Sequence, residues 1–536
     1  MSFLFSNTSS VSFTDDINPQ IDVQERLRVS IPQQQWWYTP AIDADNNFRY
    51  TTANTGNNSG QLFIQNLAAT ELAGGTDANS SMIRVSRRHH KVRPGISHLW
   101  QSELNWDGAD PSGNVTKRAG MFTNYNGIFF YVTNDFGVGI RRRLIDGTLY
   151  EIDIPRTSFN YDKLDGTGPT GYNFTANTIQ NLSTYVSTSN VGVVVQNGAQ
   201  ANVNVYNVIF TAANNLVGVF NPGQKVFVRG ITPNTYNGVA MVSSVYSNGQ
   251  ITLTYTKNPG AYSSGVATAN LMHNQFMNEH DWFFDFNGGR STRIRFGLNT
   301  ITGPTIVHIQ DFSSANIGSP YESAPAFGER TEVINSGTVS YNPTMTIHGV
   351  TYNVEGAVEV NPYFGVANSN TTVGAVFTAA GNTRPLVGIS LRNGEPYQRA
   401  DLQITDISII DANNNFTAGY GGGPTGVIYG SATYQWQLVL NPTITNAPAP
   451  TNIGKASQVY TYNAASAWTA NTGIPLTGGL MTSATSINIK EALNFINLGV
   501  NVNYTTADQL VLMVTMLDTG NQNGNVYATM SFVEDL

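Results

Sequence analysis

Short apolar runs recur along the chain at strand length, each closed by residues that interrupt regular structure. Between residues 61 and 155 they read QLFIQNL (61–67), SMIRVSRR (81–88), ISHLWQSELNW (96–106), GIFFYVTND (127–135), GVGIRRRLI (137–145) and LYEIDIP (149–155). Gly, Asn, Asp or Pro bounds them, supplying positive φ, side-chain-stabilised turns or a missing N–H donor. Runs this short and this often punctuated predict antiparallel strands and hairpins. Composition agrees: the chain holds 51 Gly, 25 Tyr and 26 Phe, while charged residues, among them the strong helix formers Glu, Lys and Arg, make up only 12%. A hydrophobic content of 40% is enough to build cores. One short helix is expected, in SINIKEALNFI (486–496).

The fold class expected is all-β and multidomain: an antiparallel β-sandwich body, jelly-roll-like, with an inserted small β-barrel or sandwich module. A chain of 536 residues exceeds one ordinary core. Residues 1–35 read as an extended N-terminal arm ending in RLRVSIPQQQWWY, with Trp36 and Trp37 anchoring it to a body. The body takes 36–176 plus 273–425, divided into two sandwiches if a second begins near 330. Between Asp165 and Glu279 there is no acidic residue, and 177–272 is assigned to the inserted module. DWFFDF and RIRFGL flank an NGG turn, a hairpin signal. Beyond the glycine-rich AGYGGGPTG (418–426), residues 428–536 form a C-terminal β domain.

Charge and cysteine usage remove several function classes. A net charge of −8 argues against bulk nucleic acid or an anionic membrane as the main partner. With no cysteine, disulfides, zinc-thiolate sites and thiol nucleophiles are excluded. The opening MSFLFSNTSSVSFTDD lacks a positive leader region, and no apolar stretch reaches the roughly 18 residues of a membrane helix. The expectation is a chain made in a cytoplasm, without a membrane partner.

The basic segment VSRRHHKVRPG (85–95) is the strongest local anomaly. From Arg84 to Arg143 there are ten Lys/Arg against four Asp/Glu. Phosphate contacts are one reading, but no Phe, Tyr or Trp interleaves between Arg84 and Arg93 to stack on bases. On a strand, Arg84, Ser86, Arg88 and His90 lie on one face and Val85, Arg87, His89 and Lys91 on the other, which also prevents adjacent His89 and His90 from sharing a metal. A charged strand edge or a subunit contact fits better, so Arg87, Arg88, Lys91 and Arg93 are candidate interface residues together with Trp36 and Trp37. Nucleic acid is not the expected partner.

Catalytic patterns are weak. In EHDWFFDF (279–286) Asp281 and Asp285 would stand about 13 Å apart on a strand, while Glu279 and Asp281 at about 6.6 Å stay within glycosidase range. Trp282, Phe284 and Phe286 on the opposite face favour a core strand with a polar outer side. GYGGGPTG (419–426) lacks the Lys-Ser/Thr of a phosphate loop. Trp36, Trp37, Tyr236 and Tyr262 are candidates for stacking on sugars, or equally for packing. No catalytic residue, metal ligand or cofactor is assigned.

Seven stretches, ERLRVS (25–30), NGIFFYV (126–132), DKLDGTGPTG (162–171), STRIRFGL (291–298), TYNVEG (351–356), LVLNP (438–442) and ATMSFVED (528–535), together resemble virion structural proteins of tailed bacteriophages and large DNA viruses. GITPNTYNGVAMVSSV (230–245) resembles small β modules grafted into phage tail and fibre proteins. The resemblance implies a minor capsid, fibre, neck or tail component located in the virion, β-rich and multimeric, with a trimer favoured and other virion proteins as partners. It implies no catalytic residue. A receptor- or glycan-binding fibre or tail-tip protein is the alternative, with a host-surface glycan as partner, and a virion glycan hydrolase comes third.

Overall fold

A computed structural model describes residues 32–535 except for several one- to three-residue gaps and the segments 41–49, 144–147, 195–202, 263–268, 288–292, 313–325, 356–361, 370–374, 393–399, 413–432, 464–468, 489–495 and 518–523. The expected fold class holds: the chain is all-β, built from antiparallel sheets and one closed barrel. It divides into two compact units, Met1–Ser86 with His90–Ala357, and Arg87–His89 with Val358–Leu536.

The first unit is a sandwich of two large sheets. One orders its strands Gly303–Asp311, Arg293–Thr300, Glu279–Asn287, Ser97–Asn105, Thr344–Glu355, Ala69–Gly74 and Ser59–Ile64, with Pro32–Tyr38 also paired to Thr344–Glu355. The other runs Leu149–Pro155, Phe136–Arg143, Gly127–Val132, Val115–Phe122, Ala326–Asn335, Ser81–Lys91 and Tyr50–Thr55. Neighbours distant in sequence show that the chain crosses repeatedly between the sheets, as in jelly-roll-like sandwiches. The hairpin signal around NGG is realised, with Phe284 opposite Phe296 and Asp285 opposite Arg295.

Alternation along these strands builds an aromatic core. Trp282, Phe284 and Phe286 are fully buried, and Trp282 meets Phe136 at 4.5 Å, Phe130 at 5.3 Å and Trp106 at 6.1 Å between ring centroids. The opposite face is mixed rather than polar: Phe283 is buried in a second apolar cluster with Ile306 and Ile309, and Asp285 and Arg295 bury each other as a two-point ion pair. DKLDGTGPTG is an aspartate-centred turn. Asp162 accepts backbone N–H bonds from Leu164 at 2.7 Å and Thr170 at 2.8 Å, and a side chain at Gly168 would collide with its carboxylate. The same loop donates from Tyr161 and Asp162 to Val307, covering the edge strand Gly303–Asp311.

The inserted module is a closed barrel of six strands, Thr178–Val194, Val203–Ala212, Gln250–Tyr255, Gly238–Val245, Lys225–Arg229 and Asn270–His273. Leu182, Val208, Phe210, Val226, Val228, Leu253 and Leu271 fill it. It is fastened to the sandwich by charge: Lys225 donates to Asp107 at 2.5 Å and to Thr346 at 2.9 Å. Phe227 packs edge-on against Tyr341 beside that ion pair, at 4.5 Å.

The second unit is a sandwich of two six-stranded sheets around one core that includes Leu386, Ile389, Leu402, Ile404, Leu512 and Met530. One sheet orders Pro362–Asn368, Gly524–Asp535, Ala400–Asp411 and Ala484–Asn488, with Ala375–Phe377 and Ile496–Leu498 as additional pairs. The other runs Thr451–Asn452, Val459–Asn463, Thr383–Leu391, Gln509–Met516, Tyr434–Leu440 and Ile474–Met481. The helix expected at 486–496 is corrected at both ends: Ser486–Asn488 and Ile496–Leu498 are strand, and 489–495 lie outside the described residues. Pairing decides it, because the backbone of Ser486–Asn488 is paired in register with Asp406–Ser408 of the neighbouring strand.

Candidate functional site

The basic segment lies on the strand Ser81–Lys91, between Ala326–Asn335 and Tyr50–Thr55. Tyr50–Thr55 covers only Ser81–Ser86, so residues 87–91 run past it. Arg87 pairs with Asp508 of the same chain at 2.8 Å, and that carboxylate also accepts from Asn441 and from the backbone of Gly499. Lys91 is half-buried. Arg93 and the side chain of Arg88 lie outside the described residues. The glycine-rich stretch 419–426 lies outside them as well.

Trp36 and Trp37 sit on the strand Pro32–Tyr38, opposite Tyr352 and Thr351. Trp36 packs edge-on to Tyr50 at 5.9 Å and against His90 at 6.1 Å, while Trp37 is 50% exposed. His90 in turn lies 4.4 Å from Tyr352, whose hydroxyl is 2.6 Å from Nδ1 of His98. Trp36 and His90 are therefore brought together across more than fifty residues of chain as packing partners. Of the candidate sugar-stacking rings, Tyr236 is a core residue of the barrel, fully buried, with its hydroxyl bonded to the carbonyl of Gly260.

Sequence reasoning missed a buried charged layer beside these rings. Arg84 is 1% exposed, with its guanidinium 3.6 Å above the Tyr50 ring and 4.3 Å from that of Tyr38. Glu329, also 1% exposed, is pushed up to about 7 by burial, against the pull of Arg84. Folding thus binds a proton here that the unfolded chain holds only below its ordinary carboxylate pKa. The stability this group contributes is full below about pH 4.5 and is lost as pH rises through 7. Glu329→Gln is expected to leave stability near pH 4.5 almost unchanged and to raise it by on the order of 3 kcal/mol at pH 8, read as the difference between urea midpoints at the two pH values. An equal effect at both would refute the burial of an ionisable carboxyl here.

The carboxylates of EHDWFFDF separate by role. Asp285 is consumed by Arg295. Asp281 accepts from Gln101 and Asn299, each at 2.7 Å, and Glu279 meets Nε2 of His348 at 3.3 Å. Glu103, the register partner of Asp281 on the neighbouring strand, joins them, and its carboxyl is raised by burial and by Glu279. This cross-strand neighbour was invisible to spacing along one strand. Glu103 is exposed and Glu279 largely so, on the outer face of the sheet. Among the described residues no group of three or more His, Cys, Asp or Glu is placed to hold a metal ion.

The second unit presents a different surface. The edge strand Pro362–Asn368 turns Ala367 into the core and Phe364 and Val366 outward, 74% and 51% exposed. Gly365 is required between them, since a Cβ there would meet the buried Phe532 ring at 2.3 Å. The same outer face continues through Val533, Ser531, Thr529 and Tyr527, then Ser408 and Ile410, then Ser486. Asp406 is the one charged side chain described on this face, because Glu534 and Asp411 are buried and bonded to Ser457 and Tyr434. A cleft of about 400 Å³ opens between Ala400–Asp411, Gly524–Asp535 and Ala484–Asn488.

No known protein family matches the chain, and no curated protein does. Among solved structures, an endo-1,3-beta-glucanase from Streptomyces sioyaensis aligns over 61% of this chain and 97% of its own, at 9% identity and a TM-score of 0.26. The Emp47p carbohydrate recognition domain aligns over 61% and 97%, at 8% identity and 0.25. A triple jelly-roll turret protein of an archaeal virus aligns over 94% and 96%, at 10% identity and 0.15.

Proposed function

We propose that this protein is a structural component of a virus particle, capsid-associated or in a tail or fibre, acting through subunit assembly with other virion proteins and with copies of itself, a trimer being favoured. One observation carries the reading: the edge strand Pro362–Asn368 has no charged residue and exposes Phe364 and Val366 on a face where, among the described residues, Asp406 is the one charged side chain. Edge strands of monomeric proteins are ordinarily blunted by Lys, bulges or covering loops, as the loop around Asp162 covers the edge at Gly303–Asp311. A bare apolar edge is what an interface requires, with exposed Thr, Ser and Asn around it supplying neutral hydrogen bonds that need no ion desolvation. Many charges of the first unit, meanwhile, are spent inside it, as at Glu332 with Arg118 and Arg330. The resemblance of seven stretches to virion structural proteins points the same way.

The purified chain is expected to run as a multimer of its 58.0 kDa subunit in light scattering. Phe364→Ser combined with Val366→Lys is expected to shift it to single chains, with unchanged circular dichroism. A wild-type chain that is a monodisperse monomer and binds no other virion protein would overturn the proposal. The glycan-binding alternative is favoured by a separate feature of the same unit, the cleft beside Tyr527.

A further inference from the structure

We infer that the cleft formed by Ser408, Ile410, Ser486, Tyr527 and Thr529 on the outer face of the second unit binds a neutral saccharide. Its volume of about 400 Å³ lies within the roughly 300–1,000 Å³ of small-molecule sites, at the end suited to one or two sugar rings. The lining is of two kinds. Ile410, 52% exposed, and the half-buried Tyr527 ring give an apolar surface. Four hydroxyls surround it, on Ser408, Ser486, Thr529 and Tyr527, each able to donate and accept.

That combination selects among ligands by charge. Among the described residues no Lys, Arg, His, Asp or Glu lines the cleft, so none of them compensates a phosphate, a carboxylate or a cation. A purely apolar ligand would gain nothing from the hydroxyl lone pairs it desolvates. A pyranose matches both kinds of lining, since its C–H face lies flat on an aromatic or aliphatic side chain while its edge carries hydroxyls in plane. The hydroxyls are already partly organised: Ser408 donates to Ser486 at 3.3 Å across two paired strands and Thr529 donates to Asn368 at 3.0 Å, which leaves the lone pairs of Ser408 and Thr529 to accept from a ligand. Rigid strands on either side fix these spacings. The cleft opens to solvent, as a site for the end of a longer glycan must.

The inference stands apart from the assembly proposal, and its test keeps the two distinguishable. Full-length protein is screened by saturation-transfer NMR against methyl glycosides of glucose, galactose, mannose and N-acetylglucosamine at millimolar concentration, with sialic acid as the charged control. Transfer to at least one neutral glycoside and none to sialic acid is expected. Tyr527→Ala should weaken binding at least tenfold, while Tyr527→Phe keeps most of it because the ring remains. Ile410→Arg, at an exposed position that folding tolerates, should abolish it by filling the cleft. Light scattering should give the wild-type mass for all three variants, and Phe364→Ser with Val366→Lys should lose mass but keep sugar binding. No transfer from any neutral glycoside, or transfer that survives both Tyr527→Ala and Ile410→Arg, overturns the inference. A fall in assembly mass on Ile410→Arg would do so as well, by making the cleft a subunit contact.

Discussion

Asp107→Ala is expected to cost about 3–5 kcal/mol and to loosen the barrel from the sandwich. Asp107 is 1% exposed and serves four partners at once. One oxygen accepts from Lys225, the other from Thr344 and Thr346, and its charge faces Lys117. Burial alone would raise its pKa, but Lys225 and Lys117 outweigh that and hold it below the usual carboxylate value. Lys117 is itself buried, its ammonium donating to the carbonyls of Trp106, Asp107 and Gly108. Burial holds it down at about 8, with Asp107 opposing the shift. Removing the carboxylate leaves Lys225 without its ion-pair partner and Lys117 with Asp110 as its remaining acidic neighbour in low dielectric, which costs more than the lost hydrogen bonds.

The pH dependence follows from the sign of the Lys117 shift. Its folded pKa lies below the unfolded one, so unfolding takes up a proton between about pH 8 and 10.5, and stability rises with pH across that window. Without Asp107 the ammonium is still less favourable. The deficit of Asp107→Ala against wild type should therefore be largest well below pH 8, narrow as pH rises toward 8, and stay at its smaller value above it. Hydrogen exchange at Val226–Arg229 should accelerate in the variant, while Asp107→Asn, which keeps hydrogen-bonding capacity, should fall between. A deficit independent of pH, with exchange in the barrel unchanged, would show that the ion pair does not fasten it.

Trp282→Ala is the second large effect, expected at about 3–5 kcal/mol. The indole is fully buried and meets rings from both sheets and from the Asp162 loop: Phe130 and Phe136 of one sheet, Trp106 at the end of the other, and Phe174 at 5.8 Å. Its loss opens a cavity where three elements converge, and rigid strands collapse poorly into such a space. Against a typical total of about 5–15 kcal/mol for a domain, this is a large share of the first unit's stability. The urea midpoint of the first unit should fall steeply, whereas Ile301→Ala, at a fully exposed position, should change it by no more than about 0.5 kcal/mol. Equal effects of the two would contradict the core placement of Trp282.

Much of the architecture was legible because β-structure writes itself locally. Alternation in DWFFDF set Trp282, Phe284 and Phe286 on one face before any partner was known, and the NGG turn named its hairpin partner. The acid-free stretch from 166 to 278 marked the barrel, since a small closed core of Val, Leu, Ile and Tyr rings needs turns and hydroxyls outside it rather than charge. At SINIKEALNFI the helical period was misleading, because the backbone of Ser486–Asn488 is paired with Asp406–Ser408 and a helix of one or two turns is marginal on its own.

The candidate sites were not legible in the same way. Arg87 looked like a surface charge until Asp508, far along the chain, was seen beside it. Glu103 and Glu279, Arg84 and Glu329, Asp107 and Lys225 are all pairs set by register between distant strands. Likewise, nothing in PYFGVAN distinguishes an edge strand from a central one, and nothing in Ser408, Ser486 and Tyr527 announces a shared cleft. Local pattern alone identifies a cysteine-free β-protein poor in charge, with turns every few residues and an inserted small β module, barrel or sandwich, because side-chain periodicity and turn chemistry act over neighbouring residues. Which charges are buried together, closure of the inserted module into a barrel, and which hydroxyls lie side by side come only from the tertiary structure, because strand order and register join residues that no local pattern connects.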